Sequence, residues 1–346
     1  MQINTKLICF LILCLPVPGL AQDSYSQKIK SWLESQGYGD SLDYLAVNIF
    51  GDGDPANGIE DNRIDMSSPL WNSDQRRSWN MGAGTVHCDG RNRGSAVIVD
   101  TSMFGGLDHG MIIATSAHVL FNLETKLRFK ACRFHFMAID HLPGYQADIR
   151  YEYSLLGDFD PSSPRTSDQF GKEDWAFLYI DDEVPGISTA GSLKLLPFVE
   201  AKTVNDDDTS FQFIAWSRSA DSISISTSCE IKESGGSDLG GGSWPGQLLD
   251  NCDSEGGASG GGLIARNSSG YYLVGIRSGS HWDGDTYPAD TFPSGPPDGS
   301  TWDITKNTNF GRAIDRELIA KLQWLVDVIN AKTKIVLYLQ VKSIAP

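Results

Sequence analysis

The sequence predicts an all-β chain, built as an antiparallel barrel or sandwich, and three observations support this fold class. Between about residues 80 and 280, short apolar stretches rich in β-branched and aromatic side chains alternate with Gly, Asp, Asn and Ser. No long helical period interrupts this region. The 36 glycines and 15 prolines among 346 residues indicate many turns. An antiparallel sheet that closes on itself or packs on another is therefore the expected architecture.

The expected elements follow one another along the chain. Residues 24–36 have the pattern of a short amphipathic helix ended by Gly37. A helix is also expected over 313–329, where apolar residues recur at helical spacing, and residues 334–341 are expected to add a strand. The clearest strands are expected at 95–99, 111–115, 175–180, 211–216 and 271–276.

The first 21 residues have the features of a secretory signal peptide. Lys6 precedes the apolar run 7–15, and the segment ends in small residues up to Ala21. The run is shorter than a membrane span, so we expect a secreted or periplasmic protein without membrane insertion. The rest of the chain divides into a pro-segment or N-terminal extension at 22–75, a β-rich domain at 76–332 and a C-terminal tail at 333–346.

Charge excludes one class of partner. With 28 basic and 44 acidic residues the net charge is −16, which argues against a nucleic-acid-binding surface. Acidic loops at 51–61 and 206–208 offer carboxylates for Ca²⁺, but neither has the spacing of a calcium loop. We therefore expect that the protein needs no metal, and we expect no cofactor. We also expect a monomer.

Four cysteines remain after the signal peptide and its Cys9 and Cys14 are removed. An even number in an exported protein predicts two disulfides. Of the three possible pairings we favour the two that lie around the candidate catalytic segments described next. These are Cys88–Cys132 and Cys229–Cys252.

Three segments carry candidate catalytic side chains. In residues 114–118 (ATSAH), a strand leads through small residues to His118. In residues 173–178 (EDWAFL), Asp174 stands at the start of an apolar strand, where a carboxylate can orient an imidazole. In residues 256–264 (GGASGGGLI), glycines surround Ser259 and bare successive N–H groups toward a developing oxyanion.

Chain order distinguishes two kinds of hydrolase. The third segment fits G-x-S-x-G, the nucleophile elbow of α/β-hydrolases, but there the acid and the histidine follow the serine. Here only His281 follows Ser259, and no βα alternation surrounds it. The order His118, Asp174, Ser259 instead matches the chymotrypsin arrangement.

The motifs resemble those of the chymotrypsin-like, or trypsin-like, serine peptidases. The segments T-S-A-H, D-W-A-F-L and G-A-S-G-G are similar to the family's T-A-A-H, D-I-A-L-L and G-D-S-G-G. The resemblance covers about residues 80–330 and implies two antiparallel six-stranded β-barrels with a C-terminal helix. It also implies a secreted serine endopeptidase that acts on proteins or peptides through an acyl-enzyme.

The resemblance assigns roles to particular residues. His118 is the implied general base, Asp174 its orienting partner and Ser259 the nucleophile, while the N–H groups of Gly257 and Ser259 form the oxyanion hole. Ser278 is expected to neighbour Asp174, on a strand that lines the substrate cleft.

One departure from the family pattern distinguishes two of its branches. Animal members carry an aspartate directly before the serine, and here that residue is Ala258. The chain is therefore more similar to the bacterial branch that includes the glutamyl endopeptidases. Residues 59–63 (IEDNR) and 309–314 (NFGRAI) also resemble segments of that branch.

The substrate preference stays open at this point. Asp253 lies six residues before Ser259, the position that gives trypsin its preference for a basic P1 residue. It could have that role here, or it could be a structural turn residue. Ser254 and Arg277 match positions that hold an acidic P1 side chain in the glutamyl branch. Arg277 could equally neutralise Asp253, and we lean toward a pocket in which neither charge dominates.

A second function class also stays open. Chymotrypsin-like folds can serve as binding modules without catalysis. A catalytically silent homologue of this kind usually has a broken triad, whereas all three positions are present here.

Overall fold

A computed structural model describes residues 49–51, 61–65, 82–136, 144–163, 172–181, 192–203, 209–218, 220–234, 246–283, 285–286, 288 and 296–344. They belong to a compact unit that runs from Leu45 to Pro346. The expected signal peptide, the expected helix over 24–36, loop 206–208 and most of loop 51–61 lie outside the described residues.

The described residues form nineteen strands and two α-helices. The first ten strands are β1 (Phe50–Gly51), β2 (Arg63–Asp65), β3 (Ala83–Cys88), β4 (Arg91–Val99), β5 (Met111–Thr115), β6 (Phe121–Asn122), β7 (Leu127–Arg128), β8 (Cys132–Phe136), β9 (Tyr145–Leu156) and β10 (Ala176–Ile180).

The remaining elements follow in chain order. They are β11 (Lys194–Leu195), α1 (Phe198–Thr203), β12 (Ser210–Ser217), β13 (Ser222–Cys229), β14 (Ile231–Glu233), β15 (Gln247–Asp250), β16 (Gly262–Asn267), β17 (Gly270–Trp282), β18 (Ser300–Thr301), β19 (Asn307–Ala313) and α2 (Arg316–Ile344).

The first barrel closes through hydrogen bonds between neighbouring strands. Its order is β10-β5-β4-β3-β8-β9, and every pairing is antiparallel. Strand β4 shows why the sheet curls around a core. Ala96 and Ile98 pack inside this barrel, while Val97 and Val99 face the other way and join a second cluster. Both faces of this part of β4 are therefore buried, in keeping with the continuous apolar run from which the strand is predicted.

The second barrel closes through one continuous strand. The order β14-β15-β19-β17-β16-β12-β13 runs from β14 to β13, and only Glu230 separates these two strands in the chain. Counted as one bent strand, they complete a ring of six among the described residues. The prediction of two six-stranded antiparallel barrels is confirmed. Strand β2 adds to the edge of β13 from outside the ring.

Three of the four apolar clusters among the described residues hold these elements together. One fills the first barrel, including Ile113 and Phe134, and another fills the second barrel, including Phe213 and Leu263. The third joins residues of both barrels to the apolar face of α2, including Leu322. These buried faces fix how the two barrels meet, which is what brings the candidate catalytic segments together.

The C-terminal helix differs from its expected bounds at both ends. Strand β19 continues to Ala313, so the helix begins only at Arg316, where the Asp315 side chain accepts the Leu318 N–H at 2.9 Å as an N-cap. The strand expected at 334–341 is wrong, because the helix continues to Ile344. No Gly or Pro interrupts this stretch, so nothing stops helix propagation even though β-branched residues favour strands. The expected boundary between domain and tail at 332/333 falls inside the helix.

Both expected cysteine pairs are bonded. Cys88 is linked to Cys132, which joins the paired strands β3 and β8, and Cys229 is linked to Cys252. The second pair ends ahead of Ser259 rather than enclosing it. It ties the bend between β13 and β14 to the loop that leads to the serine. None of the described helices is long and apolar enough to cross a membrane.

Candidate active site

The histidine and the aspartate meet because their strands pair. Strands β5 and β10 are antiparallel neighbours with Thr115 opposite Ala176. The chain after β5 therefore lies beside the chain before β10. His118 sits there in a short 3-10 turn, and Asp174 stands two residues ahead of β10.

Both carboxylate oxygens of Asp174 are used by the same residue. One accepts the backbone N–H of His118 and the other lies 2.7 Å from its Nδ1. Asp174 is fully buried and His118 is 7% exposed. Since an ionised carboxylate only accepts hydrogen bonds, the pairing places a hydrogen on Nδ1 and leaves Nε2 as the basic nitrogen.

The serine segment is fastened to the histidine segment across the two barrels. The Ser259 carbonyl accepts the Ser95 N–H from strand β4 at 2.7 Å. The Arg277 carbonyl accepts two donors, the Gly260 N–H at 2.8 Å and the Ser116 hydroxyl at 2.5 Å. Gly260 follows Ser259 and Ser116 precedes His118 by two residues. One carbonyl therefore joins the two segments that carry the candidate base and nucleophile.

Gly260 is required at this junction. Its φ is +84°, and a Cβ there would lie 2.1 Å from the Thr115 hydroxyl and 2.2 Å from the Ser95 carbonyl oxygen. Any side chain would therefore push the serine segment away from the first barrel. This is the physical reason for a glycine directly after Ser259.

Two backbone N–H groups beside Ser259 donate to no other described residue. They belong to Gly257 and Ser259, whereas the N–H groups of Ala258, Gly260 and Gly261 all donate to carbonyls. The loop turns at Gly257, where φ is +97° and a Cβ would lie 2.4 Å from the Trp216 ring. Because these two N–H groups lie together in a buried turn, both can donate hydrogen bonds to one anionic oxygen.

The serine hydroxyl has a partner of its own. Oγ of Ser259 donates to the Ser278 carbonyl at 3.1 Å. The expected contact between Ser278 and Asp174 is not a hydrogen bond, because the Ser278 hydroxyl has no hydrogen-bond partner among the described residues. Ser278 borders the serine through its backbone.

Arg277 is paired with an aspartate that no sequence motif indicates. The guanidinium forms a buried ion pair with Asp250, donates to the Ser254 hydroxyl at 2.8 Å and lies 4.1 Å from the Phe213 ring centre. Burial lowers the pKa of Arg277 and raises the pKa of Asp250, while their mutual attraction opposes both shifts. Of the roles left open for Arg277, the geometry gives it Asp250 as its ion-pair partner instead of Asp253.

Asp253 faces backbone donors rather than a cation. Its two carboxylate oxygens accept the N–H groups of Phe50 and Asn62, each at 2.8 Å. The side chain is 1% exposed, and burial raises the pKa of Asp253 to about 6. Of the two readings of this residue, the contacts favour the structural one.

No sequence motif pointed to Asp250 or Phe50, and Asn62 entered only as part of the segment 59–63, without a role. Asp250 ends an ordinary strand, and the other two residues contribute backbone groups that any amino acid except proline could supply. Only a search for carboxylates near the Gly-rich segment could have included Asp250. Its partner could not have been inferred from spacing.

Known proteins similar to this chain are found among solved structures. No family model and no curated protein matches it. A solved glutamyl endopeptidase, in complex with MPD, matches 79% of this chain and 98% of its own at 10% identity and a TM-score of 0.48. The protease Anisep from Arthrobacter nicotinovorans matches 71% of this chain and 96% of its own at 14% identity and a TM-score of 0.43.

Proposed function

We propose that the chain is a secreted serine endopeptidase that uses His118, Asp174 and Ser259. The observation that carries the proposal is that His118 uses both Asp174 oxygens, at 2.7 Å each, while the Arg277 carbonyl joins the serine segment to the histidine segment. A fully buried carboxylate with this single partner orients the imidazole and stabilises its protonated form.

The proposed reaction is acyl transfer to water. Nε2 of His118 takes the proton of Ser259 as Oγ attacks the peptide carbonyl, and the new C–O bond places negative charge on the carbonyl oxygen. The N–H groups of Gly257 and Ser259 bind that oxygen. His118 then protonates the leaving amine as the C–N bond breaks, and a water molecule hydrolyses the acyl-enzyme by the same steps.

The Ser259 hydroxyl must release its present acceptor before it can react. It donates to the Ser278 carbonyl at 3.1 Å, so proton transfer requires that the hydroxyl hydrogen be redirected toward His118. Such hydrogen bonds are often loose in free enzymes and tighten when substrate binds. The Ser278 carbonyl thus holds the hydroxyl until a substrate displaces it.

The charges near the serine support a preference for uncharged P1 side chains. Arg277 is neutralised by Asp250 and Asp253 is occupied by two backbone donors. Neither is free to form the charge pair that an acidic or basic side chain needs. The signal-like N-terminus and the two disulfides support export to an oxidising compartment, and we propose a monomer without cofactor.

The test is labelling and cleavage by the mature protein. Wild type is expected to react with a fluorophosphonate probe and to cleave a peptide library, and Ser259→Ala is expected to do neither. Ser162→Ala is the control, because it removes an exposed serine hydroxyl outside the candidate site. Folded wild type that neither reacts nor cleaves would overturn the proposal and favour the binding module.

A further inference from the structure

The segment ahead of the first barrel contacts the loop ahead of Ser259. Residues 49–51 and 61–65 lie within the compact unit that begins at Leu45. They reach the loop at 251–257 by several separate contacts. A cleavable pro-segment over the whole of 22–75 would remove all of them.

Asp253 provides the central contact. Its oxygens accept the N–H groups of Phe50 and Asn62, which are 203 and 191 residues away in the chain. Charge-assisted hydrogen bonds of this kind are stronger than neutral ones. Because both donors belong to the backbone, the carboxylate binds the path of the segment rather than a particular side chain.

A second group of contacts surrounds the first. The Ser226 hydroxyl donates to Asn62 Oδ1 at 2.6 Å and accepts the Asp253 N–H at 2.9 Å. Arg63 lies 2.7 Å from the carboxylate of Glu255, which also accepts the Ser217 hydroxyl at 3.1 Å. Backbone pairing of β2 with β13 and of β1 with β18 fixes the segment on either side.

The contacts lead directly to the N–H groups beside the serine. The Glu255 carbonyl accepts the Ala258 N–H at 3.0 Å, closing the turn in which Gly257 lies. The residues that hold the segment, Asp253 and Glu255, therefore lie two to four residues ahead of Gly257. A shift of this loop would displace the Gly257 and Ser259 N–H groups together.

We propose that residues 49–65 remain in the mature protein and that Asp253 is a positioning residue, which holds them so that the Gly257–Ser259 turn keeps its catalytic form. The proposal rests on the proposed peptidase function. It assigns Asp253 to the support of the oxyanion site, instead of to the recognition of a basic substrate.

Asp253→Asn is the variant that separates these two roles. The Asn amide has the size of the Asp carboxylate but offers one acceptor oxygen instead of two. Its NH₂ group would face one of the two backbone N–H groups that the carboxylate now accepts. We expect a loss of about ten- to hundredfold in kcat/KM, mostly in kcat and equal for Lys, Leu and Glu at P1. A loss confined to basic P1 residues would overturn the proposal.

Asp100→Asn is the matched control. Asp100 is also a buried carboxylate that accepts a backbone N–H, that of Ser102, and among the described residues its side chain has no hydrogen bond to the serine loop or to residues 49–51 and 61–65. We expect its kcat to stay within about twofold of wild type. Arg63→Gln provides a milder second variant should Asp253→Asn not fold, with a smaller loss in kcat for every substrate.

Two further readouts do not depend on turnover. Hydrogen exchange of Asp253→Asn is expected to be faster than in wild type in peptides that contain Phe50 and Asn62, and unchanged exchange would overturn the proposal. N-terminal sequencing of the fluorophosphonate-labelled mature protein is expected to begin before residue 49. A labelled protein that begins after residue 65 would overturn it, while the labelling itself tests the peptidase function.

Discussion

The two halves of the candidate site use buried carboxylates in different ways. In the histidine half, Asp174 serves one residue, and the two come from adjacent strands of one barrel. In the serine half, Asp250 serves Arg277 on another strand and Asp253 serves the distant N-terminal segment. All three aspartates are buried. Burial alone therefore does not distinguish a catalytic carboxylate, and the partner decides the role.

The strongest test of this contrast replaces Asp174. Asp174→Asn is expected to lower kcat by roughly three to four powers of ten, because the amide no longer holds His118 in the reactive tautomer. KM should change little. Steady-state cleavage of one good peptide measures both constants. Asp160→Asn, in an exposed loop, is the control, and full activity in Asp174→Asn would remove the triad assignment.

The next largest effect is expected at the ion pair of the serine half. Asp250→Asn leaves the Arg277 guanidinium buried without a charged partner, which costs about 3–5 kcal/mol in the free energy of unfolding. The double variant Asp250→Leu/Arg277→Met removes both charges and is expected to recover most of that loss. Urea unfolding measures all three proteins. A double variant that loses the sum of two single losses would contradict a coupled pair.

The two disulfides allow the two barrels to be compared, because removing either one is expected to lower the stability by a similar amount. They close loops of 44 and 23 residues, so replacing each pair by alanine should cost about 4 and about 3 kcal/mol of stability. Only the second loss should also lower kcat, because Cys252 precedes Asp253. Assays at a temperature where both variants are folded test this. Equal kcat values would show that the serine loop does not need its disulfide.

The smallest effect concerns a histidine that has no carboxylate partner in the part of the chain described. His281 is buried and stacks on Phe310 at 3.9 Å, and burial lowers the pKa of His281 from 6.5 to about 4. Between these pH values only the unfolded chain binds the proton. The contribution of neutral, buried His281 to the free energy of unfolding, about 3 kcal/mol, is therefore complete above pH 6.5 and is lost as the pH falls to 4.

His281→Phe should flatten the pH dependence of stability in this window, as measured by denaturant unfolding at several pH values. His109→Gln, at an exposed histidine, should leave the slope unchanged. Asp253 acts in the opposite sense, because its folded pKa of about 6 lies above 3.8 and its contribution grows as pH falls between these values. A slope that is the same in His281→Phe and wild type would contradict the assignment.

Much of the fold followed from local patterns. Strand β5 has the expected bounds, and the expected strands at 95–99 and 211–216 lie within β4 and β12, since short apolar runs rich in β-branched and aromatic residues between turn formers are typical of strands. The chain beyond residue 333 was misassigned, because its β-branched residues favour a strand locally while the preceding helix continues through them. Propensity is a weak guide where an established helix meets no breaker.

The sequence by itself determined the residue types of the site and their order along the chain. Small residues before His118, an aspartate before an apolar strand and glycines around Ser259 are local requirements, so they are visible in local sequence. Only the tertiary structure decided the partners of Asp250 and Asp253. The partners of Asp253 are backbone N–H groups nearly two hundred residues away, and that of Asp250 is an arginine on another strand. Backbone donors carry no sequence signature, and long-range pairing is set by how the strands close into barrels.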